Sequence, residues 1–206
     1  MGISTMHKAE DLRRSSDIMK KVYLVRHAKT IMNYTNRWQG RSDSDILPGA
    51  IEKLLSSIKS IENEGINKIY SSCIGRAIKS AAAAANVLGL NSIFLDCRFN
   101  ERDLGLLEGK TVDEIRTKFG IEFLYITSRD IEKLPYVESW PDFVSRVFSG
   151  LESLPDGRTL LITHGGVLRA VYNTLSHSDE RRVIFDNGDI LVLNKTDSWD
   201  IERIIK

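Results

Sequence analysis

Three apolar runs in this chain stop on polar residues of one chemical kind. Val22-Tyr23-Leu24-Val25 gives way to Arg26-His27. Lys68-Ile69-Tyr70 gives way to Ser71-Ser72, with Arg76 one turn into the segment that follows. Arg158 to Thr163 gives way to His164-Gly165-Gly166. Two forked guanidiniums brought to one point suit a tetrahedral dianion such as phosphate. At ~4 Å and an effective dielectric of ~20, each would contribute on the order of 4 kcal/mol of gross attraction, reduced by the cost of desolvation. His27 reads as the reactive group and Arg26 as part of an anion clamp beside it.

The surrounding elements decide whether these residues can meet. The opening run is rich in β-branched residues and short, as a buried strand is. Ile51, Leu54, Leu55, Ile58 and Ile61 follow at the spacing of one helix face. A second strand is expected at 68–71 and a helix from about Gly75 to Leu88, with Ala77, Ile78, Ala81, Ala82, Ala85 and Leu88 inward. A third strand is expected at 92–96, mainly helix between 111 and 153 with a break near Pro135, a fourth strand at 158–163 and a helix from Val167 to Leu175. Residues 190–193 and 200–205 read as a closing antiparallel pair. Alternating strands and helices imply a mainly parallel sheet covered on both faces. Parallel strands place their C-terminal ends on one edge, where open α/β sheets bind ligands. Two arginines and two histidines would then converge there.

Composition removes several function classes. Lys plus Arg number 29 against 28 Asp plus Glu, a formal charge of +1, so no polyanion such as nucleic acid is expected as a partner. No apolar run approaches the ~18 residues of a membrane span. Cys73 and Cys97 have neither metal-ligand nor redox-motif spacing, and two reduced thiols in a cytoplasmic protein are the expectation. Residues 1–18 are polar and without clear periodicity. They are expected to be a leader or disordered tail, with the folded domain spanning 19–206.

Four segments together resemble the histidine phosphatase superfamily, in its phosphoglycerate mutase-like branch. Leu24-Val25-Arg26-His27-Ala28-Lys29-Thr30 is similar to the Arg-His-Gly signature. Ser71-Ser72-Cys73-Ile74-Gly75-Arg76-Ala77 resembles the Ser-Ser-Pro-Leu-x-Arg-Ala segment. Asn100-Glu101-Arg102-Asp103-Leu104-Gly105-Leu106-Leu107-Glu108-Gly109 resembles the general-acid loop, and Thr163-His164-Gly165-Gly166-Val167-Leu168-Arg169-Ala170 the second-histidine segment. Alone, His27 would be an ordinary hydrogen-bonded histidine, Arg76 a solvated helix arginine and Glu101 an exposed carboxylate. Their joint occurrence in the family's order reverses that reading.

The resemblance implies the roles. His27 attacks phosphorus and becomes a phosphohistidine; Arg26, Arg76 and His164 hold the phosphoryl oxygens; Glu101 protonates the leaving oxygen and then activates water. Asn33 matches a phosphate-binding position, Arg37, Gln39 and Gly40 match the loop that meets substrate, and Gly165 adjoins the second histidine. A histidine is nucleophilic only as neutral imidazole, which flanking arginines favour. Neither metal nor cofactor is called for.

Hydrolysis is expected over mutase-type phosphoryl transfer. Mutases of this branch carry a lysine where this chain has Val112, and His-Gly-Asn-Ser where it has His164-Gly165-Gly166-Val167. The chain is also shorter than a typical mutase and lacks basic residues that bind a second phosphate. A non-catalytic phosphoanion-binding module is the alternative from another class, because Ala28-Lys29 replaces the usual Gly followed by Glu or Gln. Ala28 would crowd the pocket and Lys29 would sit at its mouth, favouring anionic substrates. Glu108 reads as a supporting or solvated carboxylate. Segment 111–153, with Phe123, Tyr125, Tyr136 and Trp140, is expected over the site. The expected molecule is thus a single three-layer α/β/α domain, phosphoglycerate mutase-like, with a mainly parallel sheet and an antiparallel edge. Its partner would be a small phosphorylated metabolite, with neither nucleic acid nor membrane, and the sequence leaves room for a homodimer.

Overall fold

The computed structural model describes residues 19–120, 131–176 and 183–206. The expectation for residues 1–18, and those for Phe123 and Tyr125, lie outside the described residues. In chain order the elements are β1 (Lys20–Arg26), α1 (Ile31–Tyr34), α2 (Ala50–Lys59), β2 (Lys68–Ser71), α3 (Gly75–Leu88), β3 (Ile93–Leu95), α4 (Val112–Phe119), α5 (Trp140–Ser153), β4 (Gly157–Thr163), α6 (Gly165–Leu175), β5 (Ile190–Lys195) and β6 (Trp199–Ile205).

The sheet has the order β3-β2-β4-β1-β5-β6. β1 to β4 run parallel, and β5 pairs antiparallel with both β1 and β6. Alternation along each strand makes two cores. Val22 and Leu24 of β1 face the layer of α5 and α6, meeting Phe143, Val147 and Leu168. Tyr23 and Val25 face α2 and α3, meeting Leu54, Ile58 and Ala81. Burying each large aliphatic side chain is worth about 1.5–3 kcal/mol against leaving it in water, so a register slip in β1 would forfeit both faces at once.

Small side chains let α3 lie close on the sheet, with Ala77, Ala81, Ala84 and Ala85 buried. Ala82, expected inward, is exposed, and Ala84 takes its place. The run of five alanines carries no periodicity of its own, which is why its inner face was not readable. Two further boundaries differ. The segment after β1, expected as the loop that carries Arg37, Gln39 and Gly40, opens with a single helical turn, α1, closed by a Thr30–Asn33 capping box. The mainly helical stretch expected at 111–153 resolves, among the described residues, into α4 and α5, with a 3₁₀ turn at Ile131–Lys133 between them. No helix of the described residues is long and apolar enough to cross a membrane.

Candidate active site

Register brings the three strand tips together. Arg26 of β1 stands opposite Thr163 of β4, and Ser71 of β2 opposite Ile162. The chain leaving β1 stays pinned to its neighbour, since His27 N–H donates to Thr163 O at 2.9 Å. A cavity of about 140 Å³ opens at this edge, lined by Arg26, His27, Arg76 and Glu101 together with Asn33, Arg37, Gln39 and Gly40 of the loop after β1. It is well below the ~300–1,000 Å³ of pockets that enclose drug-sized ligands. Its size suits a small polar head group, with the rest of a substrate reaching outward.

His27 is almost wholly buried, 2% exposed. Its Nδ1–H donates to Ala28 O at 2.7 Å, which leaves Nε2 as the acceptor of Arg76 Nε–H at 3.1 Å. Burial, then the charges of Arg76 and Arg26, hold its pKa well below the ordinary histidine value. Neutral imidazole with an unprotonated Nε2 is what nucleophilic attack requires, and here that lone pair is held by Arg76 Nε–H. His164 packs beside it, ring centroids 5.2 Å apart, and is depressed in the same direction by burial and by Arg76, His27 and Arg26. Ser72 Oγ lies 2.7 Å from His164 Nε2 and accepts from Ile74 N–H. Nδ1 of His164 is buried without a partner.

Of the arginines, Arg76 is buried and Arg26 half-buried. Arg76, at 1% exposure, donates from Nη1 to Ser42 O at 2.6 Å and from Nη2 to Gly40 O at 2.7 Å. Arg26 donates from Nη1 to Phe185 O, while its Nε is buried without a partner. Burial lowers the pKa of both, and the charge of Glu101 opposes that effect. Buried polar atoms without partners are uncommon and costly; of the two residues that carry one here, Arg26 lines the cavity and the wholly buried His164 does not. Glu101 is held at both carboxylate oxygens, Oε1 by Arg102 N–H at 2.9 Å and Oε2 by Gly166 N–H at 3.0 Å, at the start of α6. A Cβ on residue 166 would fall 2.1 Å from Glu101 Oε1, so the glycine makes room for it. Among the described residues, no three His, Cys, Asp or Glu side chains gather as a metal site.

The profile of the histidine phosphatase superfamily (branch 1) matches residues 22–204. The chain belongs to that superfamily. Among its relatives, the probable phosphoglycerate mutase GpmB of Yersinia pestis is 31% identical over 172 residues, covering 79% of this chain and 80% of the relative. Among solved structures, Bacillus stearothermophilus YhfR superposes with a TM-score of 0.80 at 25% identity, covering 89% of this chain and 95% of the other. A mycobacterial glucosyl-3-phosphoglycerate phosphatase complexed with VO3 shares the fold at a TM-score of 0.70 and 20% identity, covering 88% and 96%.

Within this histidine phosphatase the loop residues divide. Asn33 accepts from Thr30 N–H at 3.2 Å and from Asn187 Nδ2 at 3.3 Å. Arg37 donates to Gly109 O and Glu114, each at 2.7 Å. Gln39 is buried against the Thr30 hydroxyl, 3.1 Å away. Gly165 does not line the cavity; it lies beneath the Arg26 guanidinium, where a Cβ would come within 3.2 Å of Nε. Trp38, which no motif marked, does line it. Asn187, also unmarked, donates to His27 O at 2.8 Å. Arg146 of α5 donates to the carbonyls of Arg98, Asn100 and Glu101 and so grips the segment that carries Glu101.

Several expectations are corrected. Ala28 does not crowd the cavity: its side chain is buried in the core shared with α2 and α3, its N–H is taken by Ser80 Oγ, and its φ is not positive. Lys29 does not line the cavity; it lies over the Tyr34 ring, 5.9 Å from the centroid. No described residue of 111–153 lines the cavity. Tyr136 is 81% exposed, and Trp140 packs on Phe143. The cysteines are not free thiols: Cys73 and Cys97 form a disulfide. The cysteine-based ground for a reducing compartment is thereby removed. The bond, with Cys73 N–H donating to Asn100 Oδ1 at 2.8 Å, ties the turn bearing Ser72 to the segment bearing Glu101.

Proposed function

We propose that the protein is a phosphomonoesterase that hydrolyses a small organic phosphate through a phosphohistidine at His27. The observation that carries this reading is a neutral, buried His27 whose unprotonated Nε2 accepts only from Arg76 Nε–H, beside two buried nitrogens without partners, Arg26 Nε and His164 Nδ1. A tetrahedral dianion supplies the acceptor that Arg26 Nε lacks. In the first step the phosphoryl group takes over the Arg76 Nε–H that His27 Nε2 accepts in the free protein. Nε2 forms a bond to phosphorus, the bond to the ester oxygen breaks, and Glu101 gives that oxygen its proton. In the second step a water attacks phosphorus, its proton passes to Glu101, the N–P bond breaks and inorganic phosphate leaves. Arg26, Arg76 and His164 stabilise the charge on the equatorial oxygens by position and electrostatics. The positive charge the reaction needs is supplied by guanidiniums, so the hydrolysis is proposed to be metal-independent.

The name of the Yersinia pestis relative favours a second reading, mutase-type transfer. Against it, the position of the mutase lysine is the uncharged Val112, the first residue of α4, and the second histidine is followed by Gly165-Gly166. Ala28, the departure that suggested a mere binding module, stays out of the cavity, which supports catalysis. The deciding experiment is release of inorganic phosphate from an aryl phosphate and from a panel of sugar phosphates and phosphoglycerates, with and without chelator. Turnover should be unaffected by chelator and reduced by at least about 10⁴-fold in His27→Ala, the scale seen when a covalent nucleophile is removed. Undiminished turnover in His27→Ala overturns the proposal.

A further inference from the structure

We infer that Glu108 is a positioning residue: its carboxylate fixes the Gly40–Ser42 turn, and the carbonyls of that turn aim Arg76 at His27. This rests on the site proposed above and adds a residue that touches neither substrate nor cavity.

Glu108 accepts four hydrogen bonds from two separate parts of the chain. Oε1 receives Arg41 N–H at 2.8 Å and Leu104 N–H at 3.2 Å; Oε2 receives Ser42 N–H at 2.8 Å and the Ser42 hydroxyl. Successive backbone N–H groups converging on one anion form a nest, and charge-assisted bonds of this kind are the strong ones. The turn has no strand or helix to hold it, so these bonds supply what secondary structure does not. Gly40 is cut to fit: its φ is +53°, and a Cβ there would lie 2.1 Å from Glu108 Oε1.

The same turn is what Arg76 grips. Both Nη groups of the guanidinium are spent on the carbonyls of Gly40 and Ser42, which leaves Nε–H directed at His27 Nε2. Asp43, next in the chain, accepts from Arg76 N–H at 3.1 Å and so anchors the first turn of α3. A planar group held at both Nη atoms has one orientation, and here two carbonyls set it. Without Glu108 the carbonyls lose their fixed places, and Arg76 loses its aim. Leu104 N–H on the same carboxylate ties this arrangement to the segment that follows Glu101.

The test is Glu108→Gln in the full chain, which keeps the shape but replaces an acceptor with a donor. Inorganic phosphate affinity should weaken about tenfold, measured by calorimetry. In an Arg76→Ala background the same substitution should change phosphate affinity by less than about twofold, because the effect runs through Arg76. The acid limb of kcat/KM should move to higher pH in Glu108→Gln, since His27, which faces Arg26, Arg76 and the His164 ring, loses part of the cationic field of Arg76. Gly40→Ala, which displaces the carboxylate directly, should reproduce both effects should Glu108→Gln fail to fold. Equal weakening with and without Arg76, or unchanged phosphate binding in both variants, overturns the inference. Phosphate binding without turnover in the wild type would overturn the phosphatase reading and leave this one standing.

Discussion

The two ends of β1 gather charge in opposite ways. At its start, Lys21 meets Glu202 at 2.9 Å and Glu64 at 3.6 Å, Arg203 meets Glu64, and the Tyr23 hydroxyl donates to Glu64 at 2.8 Å. Each cation there faces an acid of the protein. At its end, Arg26 makes no ion pair among the described residues, and one of its nitrogens is buried without a partner. Arg76 directs its guanidinium at two carbonyls and a histidine, with Asp43 3.6 Å away. One strand therefore carries a closed cluster and an open one. The open one leaves Arg26 without an ion pair, and such a cost in desolvated charge suits a ligand site better than a stabilising cluster.

Arg26→Met separates the two clusters most sharply. It should lower kcat/KM by about 10²–10³, the usual effect of removing one oriented donor from a transition state. Thermal stability should be unchanged or higher, because a half-buried charge without an ion pair is replaced by an apolar side chain. An Arg26→Met protein that kept its turnover but melted earlier would make this end of the strand structural, like the other.

The open cluster was largely legible because its parts are local. Arg26, His27 and His164 stand at or just beyond strand ends and Arg76 in the first turn of the helix after one, and parallel strand order brings such residues to one edge whatever the details of packing. Asn187 and Arg146 were illegible for the converse reason. They act on the carbonyls of His27 and of Arg98 to Glu101, and a backbone acceptor leaves no residue type to recognise. The disulfide needed register. β2 and β3 pair in parallel with Ser71 opposite Leu95, which carries Cys73 and Cys97, each two residues further on, to a Cα separation of 5.0 Å. Their spacing of 24 residues says nothing of this. Ala28 and Lys29 were placed at the cavity by sequence proximity to His27 alone, whereas the chain turns away there and the methyl group joins the core.

The clusters should also differ in the pH at which they destabilise the fold. His27 and His164 are held neutral, with native pKa values well below the ordinary one. Below about pH 6.5 the unfolded chain takes up protons that the native protein refuses, so stability falls as pH falls. The slope should approach ~1.4 kcal/mol per pH unit for each histidine until the native values are reached. Glu64 shows the other sign of shift: against the opposing effect of burial, the Tyr23 hydroxyl, Lys21 and Arg203 hold it below the usual carboxylate value. Its contribution is present above about pH 4.5 and lost only as pH drops further. Denaturant titrations across this range should therefore show the histidine loss first, and the double variant His27→Asn/His164→Asn should flatten it. A slope that persisted in the double variant would assign the early loss to other groups.

Lys21→Met carries the smallest expected effect and bears on the closed cluster directly. Glu64 keeps Arg203 and Tyr23 when Lys21 is removed, and Glu202 keeps its contact with Arg203. A network that shares each acid among several donors loses little with any one of them, so the change should stay within about 1 kcal/mol. It should shrink further at high salt, where partly exposed pairs are screened. Denaturant midpoints at low and high salt would measure it, with kcat/KM on an aryl phosphate unchanged. A loss of turnover would mean that charge at the start of β1 is felt at its end, and that the two clusters are one electrostatic unit. If turnover is kept, the open cluster owes its reactivity to the side chains at its own edge of the sheet: an arginine without an ion pair among the described residues, a second aimed at His27, and a histidine kept neutral between them.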